Sequence, residues 1–168
     1  MQFDSGGVPV TDGVQVIGQG LLDEVSSMAR QSSRLRKNYN FHGSDEEASH
    51  RLLNAMEPDS YIPPHCHRDP SKDETIVVLR GRFGVLLFDA RGGVSGRVLL
   101  QPGGEAAGVN IPHGVFHTLV ALAPNGVFFE AKAGPYRPLL PEEKAPWAPA
   151  EGDSGAGRYL AGLKRLFD

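Results

Sequence analysis

The chain has 168 residues, a formal net charge of −3, 40% hydrophobic and 22% charged residues. This is the length of one domain with a sizeable core, and so mild a charge excludes general attraction to nucleic acid or an anionic membrane. A single cysteine forbids an internal disulfide and suits a reducing compartment, while 21 glycines and 13 prolines favour a turn-rich β fold.

Residues 1–13 are Gly-rich and polar and read as a loose tail, with a short strand near Val14 to Ile17. The start lacks the basic residues and apolar segment of a signal peptide, and no run of about eighteen apolar residues exists to span a membrane. A cytoplasmic location is therefore expected. Gln19 to Gln31 carries Leu21, Leu22, Val25, Met28 and Ala29 at helical spacing, which predicts an amphipathic helix with one docking face. Arg30, Arg34, Arg36 and Lys37 follow. Cations at a helix end offset its dipole, yet Arg34 and Arg36 can equally grip a carboxylate or phosphate.

Asn38 to His42 alternates, so Asn38, Asn40 and His42 share one face of an expected strand, and His50 to Met56 reads as another. Thr75 to Leu79 and Arg82 to Asp89 predict a hairpin around Arg80-Gly81, with Val94 to Leu100 pairing onward after the Asp89–Gly93 turn. Ala107 to Ile111, Val115 to Leu122 and Val127 to Lys132 complete the strands. Turns this frequent are the mark of an all-β sandwich or barrel. The segment from Pro138 to Gly152 is Pro-rich, with Trp147 expected to cap the barrel or a neighbouring subunit. Arg158 to Phe167 reads as a terminal helix.

The chemistry concentrates in Pro63-Pro64-His65-Cys66-His67. The prolines favour extended backbone, and residues two apart on extended chain face the same way. His65 and His67 thus aim two imidazoles at one point, and Tyr61 shares their parity. Glu74 follows after six intervening residues, at the head of an apolar run. Two imidazoles and a carboxylate form a transition-metal ligand set. Downstream, Pro112-His113-Gly114 is a tight turn that leads into His117.

His-x-His, then Glu, then Pro-x-Gly-x-x-His resembles the paired motifs of the cupin superfamily. The likeness implies an all-β, cupin-type antiparallel β-barrel (double-stranded β-helix, or jelly roll) with flanking N- and C-terminal helices. It implies one divalent transition metal held by His65, His67, Glu74 and His117; these ligand types suit Zn, Fe, Mn and Ni alike. The spacing before Glu74 is longer than usual, Ala121 stands where Asn is expected, and Pro58-Asp59-Ser60 replaces an opening Gly, so Glu74 can sit on the metal or just outside its ligands. Arg34-x-Arg36-Lys37-Asn38-Tyr39-Asn40-Phe41-His42, Gly134-Pro135-Tyr136 and Ala145-Pro146-Trp147-Ala148-Pro149-Ala150-Glu151 are similar to the WbuC-type cupin-fold metalloproteins, associated with bacterial O-antigen and surface-polysaccharide pathways.

One cupin domain is expected over 1–168: a tail at 1–13, an N-terminal helix and strand at 14–45, the barrel at 46–137, and a Pro-rich tail with a helix at 138–168. The resemblance implies a homodimer. The leading functional reading is a metal-dependent enzyme acting on a small polar, anionic or sugar-derived molecule. The alternatives are an Fe(II)-dependent dioxygenase and a non-catalytic ligand sensor. Tyr61, Glu130 and His42 are candidate proton carriers; Arg34, Arg36 and Asn40 are candidate substrate-binding residues.

Overall fold

A computed structural model describes residues 2–3, 9–10 and 13–168. The expected loose tail lies mostly outside the described residues; within it, β1 (Gln2–Phe3) and β2 (Pro9–Val10) form a short antiparallel ladder. The strand expected near Val14 is absent, residues 14–18 being irregular. Helix α1 spans Gln19–Gln31 and buries Leu22, Val25, Ser26 and Ala29, the i, i+3, i+4, i+7 stripe of an amphipathic helix.

The strands are β3 (Arg36–Asn40), β4 (Ser49–Met56), β5 (Glu74–Arg80), β6 (Phe83–Phe88), β7 (Val94–Leu100), β8 (Gly108–Ile111), β9 (Phe116–Ala121) and β10 (Gly126–Ala133). They form two antiparallel sheets, in the orders β3-β4-β10-β5-β8 and β7-β6-β9. The fold is therefore the expected all-β arrangement with flanking helices, built as a two-sheet sandwich and not as a closed barrel among the described residues. Helix α2 (Ala156–Lys164) and a 3-10 turn (Arg165–Phe167) end the chain.

One expected pairing is wrong. Strands β5 and β6 lie in different sheets, so Arg80-Gly81 is a crossover and not a hairpin turn. Gly81 has φ +89°, and a Cβ there would stand 2.9 Å from the Cα of Gly126. Only glycine permits both that backbone and that approach. The true hairpin joins β6 to β7.

Three apolar layers follow from strand alternation. Between the sheets, Met56, Ile76, Val78, Phe83, Val85, Leu100, Leu119 and Phe128 pack as one core. Helix α1 covers the opposite face of the larger sheet through Leu53, Ala55 and Val127. Helix α2 covers the smaller sheet through Leu86, Phe88 and Val120. Trp147 caps that side, its ring 4.8 Å from Phe88 and 6.0 Å from Phe116.

Candidate metal centre

The histidines are brought together by backbone pairing. Residues 61–68 are irregular and not a strand, but His65 pairs with His117 on β9 in both directions, N–H to O=C at 3.1 and 2.9 Å. The prolines at 63 and 64 have no N–H to pair, so the ladder contact begins at His65. On its other side the same segment is held by the C-terminal region: Cys66 N–H donates to the Glu143 carbonyl and Ala145 N–H to the Pro64 carbonyl. Buried Glu143 also accepts from the backbone N–H of Arg68 (2.8 Å) and of Leu140 (2.9 Å). No sequence pattern links Glu143 to this loop, which lies 75 residues away.

His65, His67 and His117 each offer a ring nitrogen, and the three lie within 4.8 Å of one another. His65 Nδ1 is 3.0 Å from the Pro63 carbonyl and His117 Nδ1 is 2.9 Å from the Val115 carbonyl. A carbonyl only accepts, so these contacts fix the proton on Nδ1 and leave Nε2 as the free lone pair. Glu74 completes the set: Oε2 is 3.0 Å from His67 Nε2 and Oε1 is 3.1 Å from His117 Nε2. His113, the remaining histidine of the motif region, turns away and contacts Asp73 at 2.8 Å.

This arrangement fits a cation. In neutral His117 the Nε2 lone pair faces a carboxylate oxygen, acceptor against acceptor, and something positive must sit between them. In the protein alone a proton does so: burial disfavours an imidazolium at His117, but Glu74 overrides it and raises the pKa. Burial likewise opposes the Glu74 carboxylate, yet His117, His67 and Lys132 hold its pKa well below the ordinary value. His65 has no such partner; burial and then the neighbouring His117 push it down to about 3, so it stays neutral and ready to ligate. A divalent ion would replace the proton and satisfy all four side chains.

Lys132 is the cation nearest this group, with Nζ 3.4 Å from both Glu74 Oε2 and His67 Nε2. It pairs with Glu74 across β10 and β5, and with His50 across β10 and β4. Glu130 lies two residues earlier on the same face. Burial raises its pKa despite the opposing charge of Lys132. A cavity of about 230 Å³ opens over His65, His67, Lys72, Lys132, Tyr136 and Arg137. A second, of about 350 Å³, shares His50, Lys132 and Tyr136 with it and extends to Asn38, Asn40, His42 and Glu130. Thus Glu130, His42 and Asn40 all line the space beside the metal group. His50 lines both cavities as well, placed there by its pairing on β4 with Lys132, and no sequence motif marks it.

Three expected site residues lie outside these two cavities. Tyr61 belongs to the packing layer under α2, and its hydroxyl donates to the Pro149 carbonyl at 2.8 Å. Strand parity does not carry from Tyr61 to His65 because the intervening segment is not a strand. Arg34 and Arg36 both grip the Glu151 carboxylate, at 2.8–3.0 Å. Their two guanidinium groups share one carboxylate, which leaves one positive charge in excess, and with His65 they line a separate cavity of about 430 Å³. Leu35, with φ 54°, breaks the strand that parity would have run back to Arg34.

Several solved structures are similar to this chain. KdgF from Halomonas sp. is 20% identical, with 61% of this chain and 82% of that one covered and a TM-score of 0.48. The conserved SPY1581 protein of unknown function from Streptococcus pyogenes is 12% identical, covering 65% and 86%, with a TM-score of 0.46. The Lactobacillus farciminis oxalate decarboxylase formate complex is 19% identical, covering 56% of this chain but 26% of that one, with a TM-score of 0.43. No curated protein sequence matches. The model of a domain of unknown function, DUF6016, matches residues 17–100, and because that is half of its length the chain belongs to the DUF6016 family.

Proposed function

We propose that the protein is a metal-dependent cupin enzyme for a small anionic or sugar-derived molecule, with one divalent transition ion held by His65, His67, His117 and Glu74. The observation that carries this reading is the meeting of imidazole lone pairs and a carboxylate at 3.0 and 3.1 Å, with Nδ1 of His65 and His117 fixed by carbonyls. When bound, the ion supplies Lewis-acid polarisation of a substrate oxygen. Lys132 attracts the anionic group, Glu130 and His42 are the candidate proton carriers on the cavity wall, and Lys72 ties its loop to the one bearing Tyr136 through the Ala133 and Pro135 carbonyls at the cavity's edge.

A WbuC-type role in surface-polysaccharide metabolism is the finer form of this proposal. It is supported by the contact between two of the stretches that carry the likeness, Arg34 and Arg36 closing on Glu151 more than a hundred residues away. A cytoplasmic homodimer belongs to the same reading, and sedimentation at high micromolar concentration tests the dimer.

Elemental analysis of protein purified without added metal tests the centre. About one divalent ion per chain is expected, with its sharp loss in His65→Ala, His67→Ala and His117→Ala. Glu74→Gln separates ligand from neighbour: unchanged affinity would leave a three-histidine site. Metal-free wild type that cannot be loaded would overturn the proposal.

A further inference from the structure

The two cavities that meet at Lys132 differ in chemistry. On the metal side stand the ammonium groups of Lys132 and Lys72, together with His65 and His67. Beyond Lys132 the polar walls are Asn38, Asn40, His42, Asp45, His50 and Glu130. These are amide, imidazole and carboxyl groups that can exchange hydrogen bonds with hydroxyls, and the carboxyls oppose a second anionic end. The strand register fixes their order. Lys132 and His50 share one row of the inner face, and Glu130, Leu52 and Asn40 share the next, about 7 Å further along the strands. Asn38 Nδ2 donates to Asn40 Oδ1 at 2.8 Å, which leaves the Asn40 amide N–H groups directed to another acceptor.

We infer that the ligand is a short polyhydroxylated monocarboxylic acid, its carboxylate at Lys132 and the metal group and its hydroxyls along Glu130, Asn40 and Asn38. This rests on the proposed metal-dependent anion site and adds the polarity of the ligand and its direction. A dicarboxylate fits poorly, because its far end would meet the Glu130 carboxyl. A plain fatty acid fits poorly because it would cover the Glu130 carboxyl and the Asn40 amide N–H groups while offering them no hydrogen bond in place of displaced water. With combined volumes of about 350 and 230 Å³, the cleft is the size of a small-molecule site.

Calorimetric titration of the full-length protein, metal-loaded and metal-free, tests this with three probes of similar length: gluconate, hexanoate and glucitol. Gluconate is expected to bind at least about tenfold more tightly than either probe lacking one feature, the equivalent of one or two hydrogen bonds. The double variant Asn38→Ala/Asn40→Ala should lose about tenfold for gluconate and nothing for hexanoate, and Lys132→Gln should weaken both acids. Equal binding of gluconate and hexanoate, no binding of gluconate to metal-loaded protein, or an asparagine variant with full gluconate affinity would each overturn the inference. A protein that takes up no metal but still prefers gluconate would refute the metal reading and leave this one standing. If it neither takes up metal nor prefers gluconate, both fall.

Discussion

Replacing Glu151 with Gln should remove a pH-dependent clamp between the two ends of the chain. Arg34 and Arg36 hold the Glu151 carboxyl down to about 2, from an ordinary 4.5, mainly through the Arg34 hydrogen bond and against the effect of burial. The depressed folded-state value means the contribution is fully present above about pH 4.5 and is lost as pH falls toward 2. At about 1.4 kcal/mol per tenfold change the shift would be worth about 3 kcal/mol in full. Yet 34% of the Glu151 side chain and 60% of that of Arg34 remain exposed. Solvent screening therefore brings the expected value to about 1 kcal/mol. Urea denaturation of wild type and Glu151→Gln at pH 7 and pH 3 reads it directly. Wild type should be about 1 kcal/mol more stable at pH 7, with more than half of the difference gone at pH 3. A difference of the same size at both pH values, or none at pH 7, would refute the electrostatic account.

Gly81→Ala should cost about 2 kcal/mol or more in unfolding free energy, because it combines a left-handed backbone with a contact against Gly126; a change within 0.5 kcal/mol would contradict the crossover geometry. Phe83→Ala should cost about 3–5 kcal/mol by thermal or urea unfolding, since Phe83 is fully buried between the sheets and meets Phe128 edge-on at 5.2 Å. Cys66 is 1% exposed and burial raises its thiol pKa, so the native protein should react with a thiol reagent only at the rate of unfolding, whereas fast labelling would show that the histidine loop opens.

Local signals in this chain were strong where the structure is local. The stripe Leu22, Val25, Ala29 marks α1 with its bounds, because helical periodicity is set within one turn. Most strands were legible from alternation to within a residue or two, β4 starting at Ser49 and β8 at Gly108. Spacing aimed His65 and His67 at one point, the resemblance to the paired cupin motifs added His117, and the three nitrogens do converge. Which strands pair was not legible. Alternation says that a residue faces inward, not which sheet it belongs to, and so Arg80-Gly81 reads as a hairpin when it crosses between sheets. Parity also fails wherever the strand stops, which is why Tyr61 packs under α2 and Arg34 lies beyond a left-handed Leu35. Contacts between distant segments carry no sequence period at all. Glu151 against Arg34 and Arg36, Glu143 under the histidine loop, and Lys132 beside Glu74 exist only because antiparallel register and the returning C-terminal segment place those side chains within hydrogen-bond reach.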